Sequence, residues 1–342
     1  MMSDSARSGL RGPVKSCTEE SIFEHIKDTQ VHFEHTTEYN SDGRILLSRN
    51  RNTDGSYWAT RYEYTASGQL LKTASGIEGN LLKETDYSYD QQGRLQKIST
   101  DASGETPVSF RYDERGQKTK IEVSRAEDYR PNVATGGSPF EAADRAPNLP
   151  GGGSATTVYD EHDRPTQVQV RNADGELVSR ALRTYDAEGH VNEEKQILDD
   201  LVSMFPPEVR MKMLDESGLS PDQLRQELGA QLTNLMAGQA DTYSVSYRYD
   251  SSGHLVHTCR RIFNHLEEVE TTYNEHGDVA SEITRSTQLA GDDKSTASFS
   301  EVHYSYEYDQ QGNWTVKTVS YPSSSDAAFQ PSTVSKRSLT YY

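Results

Sequence analysis

A short phrase, Tyr-Asp-x-x-Gly, returns along this chain so often that it dictates the kind of fold available. Its fullest form, aromatic-x-Tyr-Asp-x-x-Gly-Arg-Leu, stands at Tyr87, Tyr89, Asp90, Gly93, Arg94 and Leu95. Variants stand at Tyr39-Asn40 with Gly43, Tyr64 with Gly68, Tyr112-Asp113 with Gly116, Tyr159-Asp160, Tyr185-Asp186 with Gly189, Tyr249-Asp250 with Gly253, Tyr273-Asn274 with Gly277 and Tyr308-Asp309 with Gly312, nine in all. The regular steps between the tyrosines are 25, 25 and 23 residues, then 26 and 24, the length of one strand-turn-strand unit with its connection. Asp or Asn opens the turn by accepting an amide two residues on, and Gly four positions after Tyr supplies the left-handed residue of a type I turn closed by a G1 bulge. Asp90, Gly93, Asp113, Gly116, Asp250, Gly253, Asp309 and Gly312 are therefore predicted turn residues, the four glycines with positive φ. The flanks alternate, as in Tyr304-Ser305-Tyr306-Glu307-Tyr308, which puts the rings on one face of each strand. The fold class that follows is mainly β: tandem antiparallel hairpins side by side in one long curled sheet, read as a single domain over 1–342.

Composition fits such a wall. Hydrophobic residues are only 33% of the chain and tyrosines (20) outnumber Phe (8) and Trp (2). Mean hydropathy is −0.84. A thick core is excluded and much of the sheet must be wet on at least one face. A formal net charge of −18 repels phosphate backbones, so no nucleic-acid partner is expected. No apolar run approaches the ~20 residues of a membrane-spanning helix, and no membrane insertion is expected. The stretch from Met1 to Pro13 is polar and lacks the apolar segment of a secretory leader. Cys17 and Cys259 are too few for a disulfide framework; two separate thiols are the plain expectation, a single long-range bridge the alternative.

The nine copies resemble the YD repeat of the Rhs family, whose members include insecticidal toxin-complex shells, polymorphic toxins and teneurin ectodomains. Gly9-Leu10-Arg11-Gly12-Pro13-Val14-Lys15 and Asp54-Gly55-Ser56-Tyr57-Trp58 look like the start of small, stand-alone bacterial YD-repeat proteins. The resemblance implies a β-sheet wound spirally into a hollow shell; some members enclose a toxin, sugar binding has been proposed for the repeats of others, and export or a cell-surface location is common. The chain departs from toxin-bearing members in having no Asp-Pro dipeptide. In the fifth repeat Asp163 replaces Gly and Pro165 follows, which predicts a left-handed Asp and an irregular or edge hairpin.

Two stretches break the array. Residues 124–157 hold Gly136-Gly137-Ser138-Pro139, Pro147 and Gly151-Gly152-Gly153-Ser154, the composition of a flexible surface loop. Residues 198–240 change period to that of a helical insertion. Pro207 opens one helix and Gly218 ends it; Ser220, Pro221 and Gln223 then write a capping box for a second. Leu224, Leu228, Leu232 and Leu235 share one face of that helix, and the sheet, curling without a large chamber, is expected to be plugged by it.

Chemistry has little anchor. Adjacent acids such as Asp199-Asp200 and Glu267-Glu268 are expected by chance among 53, and no nucleophile, phosphate or dinucleotide motif occurs. His32 with His35, and His254 with His257, are spaced to opposite faces of a strand, so no metal site, no cofactor and no catalytic set is predicted. The candidate ligand surface is the aromatic face, Tyr87, Tyr89, Tyr247, Tyr249, Tyr304, Tyr306, Tyr308 and Trp314, presented to a glycan or a protein partner. The leading expectation is a non-catalytic scaffold. The alternatives are a component of a bacterial toxin system, a degenerate shell without a toxin tail, and a carbohydrate-active enzyme.

Overall fold

The computed structural model describes residues 3–23, 32–100, 108–123, 138–143, 149, 152–200, 202, 205, 207–235, 243–288, 297–322 and 328–342. Twenty strands form one sheet. They are β1 (Val14–Phe23), β2 (His32–Tyr39), β3 (Ile45–Arg51), β4 (Tyr57–Tyr64), β5 (Leu70–Ile77), β6 (Asn80–Tyr89), β7 (Leu95–Thr100), β8 (Val108–Tyr112), β9 (Lys118–Val123) and β10 (Gly153–Tyr159). The rest are β11 (Pro165–Asn172), β12 (Leu177–Tyr185), β13 (Val191–Leu198), β14 (Tyr243–Tyr249), β15 (Leu255–Ile262), β16 (His265–Tyr273), β17 (Val279–Gln288), β18 (Ala297–Tyr308), β19 (Trp314–Pro322) and β20 (Phe329–Tyr341). Sequence neighbours are sheet neighbours throughout, and every pairing is antiparallel.

The sheet closes on itself. β1 pairs with β20 from Val14↔Tyr341 to Phe23↔Thr333, so the wall is a ring and not only a curl. This corrects the expectation of a sheet without a large chamber: β1 and β20 carry no complete motif, so their pairing is silent in the repeat pattern. Twenty strands about 4.8 Å apart and tilted by ~40° give a circumference of roughly 125 Å and a backbone diameter of about 40 Å. The accessible surface is 20301 Å², against about 14,000 Å² for a compact chain of this mass. A wall wetted on both faces accounts for that excess.

The closure is a tenth turn assembled from both chain ends. In a regular repeat the residue after Tyr donates its amide to the carbonyl of the residue after Gly, as Asp90 does to Arg94 at 2.9 Å. Here Tyr341 takes the Tyr place, Gly12 with φ 75° takes the Gly place, and Tyr342 donates its amide to Pro13 at 3.0 Å. The register shift between Val14 and Ser16 reproduces the bulge of the other nine. Helix α1 (Asp4–Arg7) and the residues after it bind this junction to the turns on either side. Ser5 donates its amide to Gly43 at 2.9 Å, and Arg11 exchanges hydrogen bonds with the Asn313 side chain at 2.7 and 2.8 Å.

The fifth hairpin is regular, contrary to the edge expectation. β10 and β11 pair along their length and lie between β9 and β12, and a ring offers no edge. Pro165 is the first residue of β11, beside the bulge, where no ladder donor is needed. Asp163 has φ 61°, as its place in the turn predicts.

Apolar burial concentrates in one sector. Ile121, Ala155, Val168, Val170 and Ala181 are covered by Phe140, Ala143 and Leu149. Phe140 belongs to α2 (Pro139–Ala143), which lies against β11, β12, β13 and β14. The Gly/Pro-rich stretch read as a flexible loop thus contributes α2 and the strand β10. Its remaining parts, 124–137, 144–148 and 150–151, lie outside the described residues. Among the described residues α2 packs on the sheet.

Helices α3 (Pro207–Ser217) and α4 (Pro221–Leu235) form a pair at the ends of the strands. The capping box forms: the Ser220 amide donates to the Gln223 side chain at 3.0 Å and the Gln223 amide to Ser220 Oγ at 3.3 Å. Gly218 ends α3 with φ 67°. Leu224 is buried and Leu228 half-buried, while the side chains of Leu232 and Leu235 lie outside the described residues. α4 rests on α3 and is tied to the wall by Arg225, which bonds Asp200 and Glu176 at 3.0 Å each.

Candidate functional site

The nine motif turns line one end of the wall and give every motif residue a structural task. Asp90 Oδ1 accepts from the amides of Gln92 at 3.0 Å and Arg94 at 2.9 Å. Asp250 repeats this with Ser252 and His254, and Asp309 with Gln311 and Asn313. In the fourth turn Asp113 accepts the Gln117 amide at 2.8 Å. The Arg94 amide beside Asp90 and the His254 amide beside Asp250 hold those carboxyls below the usual Asp range. Gly93, Gly116, Gly253 and Gly312 have φ of 76°, 84°, 84° and 79°, as predicted.

The motif tyrosine closes a gap that the turns create. Adjacent hairpins splay where they turn: the β5–β6 ladder begins at Lys72↔Asp86 and the β15–β16 ladder at His257↔Glu270, each two residues inside the first residue of the return strand. The carbonyl of that first residue has no ladder partner, and a backbone acceptor left so in a half-buried place is costly. The next tyrosine hydroxyl fills it. Tyr64 donates to Ile45 at 2.9 Å, Tyr89 to Leu70 at 2.7 Å, Tyr112 to Leu95 at 2.7 Å and Tyr159 to Lys118 at 2.8 Å. Tyr185 donates to Pro165 and Tyr273 to Leu255, both at 2.8 Å; in the ninth repeat the staple is Tyr306, two residues before the motif tyrosine, donating to Val279 at 2.9 Å. Burial, with Asp4 beside it, pushes the Tyr64 hydroxyl up to about 12, so this staple keeps its proton well into the alkaline range.

In five turns the side chain beside the left-handed residue packs on a following tyrosine. Arg94 lies 4.8 Å from the Tyr112 ring and Arg164 4.5 Å from Tyr185. His190 and His254 stack on Tyr249 and Tyr273, both at 4.7 Å, and His276 on Tyr308 at 4.0 Å. Glycine has a second reason here: a Cβ on Gly68 would overlap the Arg44 guanidinium.

The predicted ligand-surface residues are half-buried members of this wall. Tyr89 and Tyr306 are staples. Tyr308 donates to Asp278 at 2.8 Å, Tyr304 to Glu282, and Tyr247 to Glu194 at 3.3 Å. Burial raises the Tyr247 and Tyr304 hydroxyls, with Glu194 and Glu282 adding to it. Trp314 lies under the Arg337 guanidinium at 3.5 Å. Tyr87 is on the same strand as Tyr89, two residues back, and so on the same face. What sequence reading missed is an apolar group on this face at the opposite, loop-bearing end. Phe33 shares a face with His35, and the register His35↔Asn50, Asn50↔Trp58, Trp58↔Ile77 carries that face across four strands. Phe33, Trp58 and Ile77 are 56%, 46% and 52% exposed. Their positions, at strand ends outside the motif, gave no repeat signal.

The acids weighed as chemical groups are ion-paired. Asp199 pairs with Arg180 at 2.7 Å, Asp200 with Arg225 at 3.0 Å and Glu267 with Arg260 at 2.7 Å, while Glu268 lies 3.9 Å from His257. Glu194, at 1% exposure, is paired with Arg183 at 2.6 Å, and the Arg183 guanidinium lies 4.2 Å from the Phe140 ring. Among the described residues no group of three or more His, Cys, Asp or Glu has metal-binding proximity. Cys17 and Cys259 are free thiols.

Residues 14–129 match the family model of the teneurin YD-shell. The chain thus resembles the YD-shell family over about a third of its length. Solved structures with a similar course include a porin-like protein from Bacteroides uniformis ATCC 8492, at 11% identity over 96% of this chain and 99% of that one, with a TM-score of 0.36. The TcdB2-TccC3 structure matches at 14% identity over 87% of this chain, with a TM-score of 0.32, and this chain covers 16% of it. No curated protein matches the sequence. Likenesses this distant say nothing of function. The family match agrees with what the geometry shows independently: the motif builds a shell wall.

Proposed function

We propose that this chain is a non-catalytic scaffold of the YD-shell kind whose tyrosine face binds a carbohydrate or protein partner near the loop-bearing end. The observation that carries the scaffold reading is the staple: the Tyr, Asp and Gly of the motif are taken up by the wall's own backbone in turn after turn. The binding reading draws on Phe33, Trp58 and Ile77, whose apolar surface is exposed on the face where the motif tyrosines are buried or half-buried. The opposite face of β4 and β6 exposes Arg61, Glu63, Asp86 and Ser88.

A glycan array probed with wild type and with the Phe33→Ala, Trp58→Ala double variant, with melting temperatures alongside, tests this. Signal lost in the variant at an unchanged melting temperature supports carbohydrate binding on this face. Signal that survives the double variant removes these residues from the account, and an array with no signal leaves a protein partner. A second reading, a component of a bacterial toxin system, is favoured by the closed wall, since a ring encloses space where an open sheet does not.

A further inference from the structure

Helices α3 and α4 leave a cavity of about 310 Å³ between them, lined by Val202, Arg210, Met211, Leu214, Pro221 and Arg225. It lies with the helix pair beyond the end of β13, on the loop-bearing side and away from the motif turns. Its size is at the small end of the range that takes organic ligands, about 300–1,000 Å³. Four of the six lining side chains are apolar, so an occupant must bring apolar surface to displace water from them. Met211 is 59% exposed, an unbranched thioether on the cavity wall that adapts to the shape of what enters.

The two arginines of the lining are in different states. Arg225 is engaged: Asp200 and Glu176 hold it at 3.0 Å each and Asp222 lies 3.6 Å away. Arg210 has no carboxylate in ion-pair reach among the described residues, in a chain whose 53 acids outnumber its 35 bases. With acids in such surplus, an unmatched guanidinium beside apolar walls is a feature that the packing of the helices does not explain. We propose that the cavity binds a free medium-chain fatty acid, its tail against Val202, Met211, Leu214 and Pro221 and its carboxylate on Arg210. The guanidinium fork takes a carboxylate through two parallel hydrogen bonds, and the burial of the tail supplies the apolar contact. A neutral lipid would leave Arg210 unmatched, and the acids around Arg225 repel a second negative charge, so the fit is to an amphiphilic monoanion.

Octanoate titrated into the full-length chain tests the site, with isotope-labelled methionine methyl groups read by NMR and the Met211 signal assigned through Met211→Leu. Octanoate should shift the Met211 methyl saturably, while acetate, which has the charge without the tail, should leave it in place. Octanol, which has the tail without the charge, should bind at least about tenfold more weakly. Arg210→Gln keeps a polar side chain but removes its charge, and it should lower octanoate affinity about tenfold while leaving octanol affinity unchanged. A Met211 methyl that octanoate does not move would overturn the proposal, as would octanol binding as tightly as octanoate to the wild type. An Arg210→Gln chain that holds octanoate as the wild type does would overturn it too. The cavity is separate from the tyrosine face, so neither reading depends on the other.

Discussion

The two ends of this wall are made by the same strands under different rules. At the motif end the connections are alike: an Asp, Asn or Thr opens each turn, a left-handed residue closes it, and a tyrosine ties most turns to the one before. At the loop end the connections range from Glu78-Gly79 to the stretch between Leu198 and Tyr243 that holds α3 and α4. The motif end therefore sets register, distributing stability over many small and nearly equal contributions. The loop end tolerates insertions and exposes apolar side chains, the usual division between a scaffold and its variable face. One insertion departs from this division, because α2 folds back onto the wall and concentrates burial in a single ring, Phe140.

Breaking that exception should have the largest effect. Phe140→Ala removes a fully buried ring from above Val168, Val170 and Ala181 and uncovers Arg183, and it should cost about 3–5 kcal/mol in denaturant unfolding. A loss below about 1 kcal/mol would return this insertion to the class of dispensable loops. At the motif end Gly93→Val forces a β-branched residue to a φ of 76° and should cost about 1–2 kcal/mol. Tyr89→Phe keeps the ring but leaves the Leu70 carbonyl without its donor, for about 1 kcal/mol. Similar losses for Tyr64→Phe and Tyr185→Phe would sharpen the picture of equal staples, and a scatter from zero to several kcal/mol would break it.

The smallest effect is a pH dependence, and its sign follows from the turn carboxylates. Asp90 and Asp250 have folded pKa values below the ordinary one, so their contribution is complete above about pH 4 and is lost as pH falls through the lower folded value. Asn40 and Asn274 accept the same amides in the first and eighth turns and cannot titrate. Asp90→Asn with Asp250→Asn should therefore reduce the fall in melting temperature between pH 6 and pH 3. An unchanged fall would assign acid sensitivity to other groups.

The sequence made the hairpins legible because one motif states both the turn and its bulge, so Gly93, Gly116, Gly253, Gly312 and even Asp163 take the conformation their positions imply. The capping box at Ser220 and Gln223 was legible for the same reason: it is local chemistry at fixed spacing. Closure was not, because its turn is divided between Gly12-Pro13 and Tyr341-Tyr342 and so belongs to no window of sequence. α2 was hidden by the Gly and Pro around it, and burial of Phe140 is decided by strands distant in the chain. The leucine stripe of α4 says that the helix needs a cover without saying which; among the described residues the helix rests on α3. The tyrosines were legible as one face but not as staples, since their task depends on a carbonyl 17 to 41 residues upstream.

The central claim is that the wall is a closed ring with its tenth turn made from the two chain ends. A direct measurement is disulfide formation in a Ser16→Cys, Thr340→Cys chain with Cys17→Ser and Cys259→Ser. The closed ring predicts a quantitative bridge within one molecule under mild oxidation, seen as the loss of two thiol hydrogens in a chain that stays monomeric, with native-like circular dichroism. An open curled sheet would hold the two strands apart, and thiols that stay reduced or link only between molecules would contradict the account.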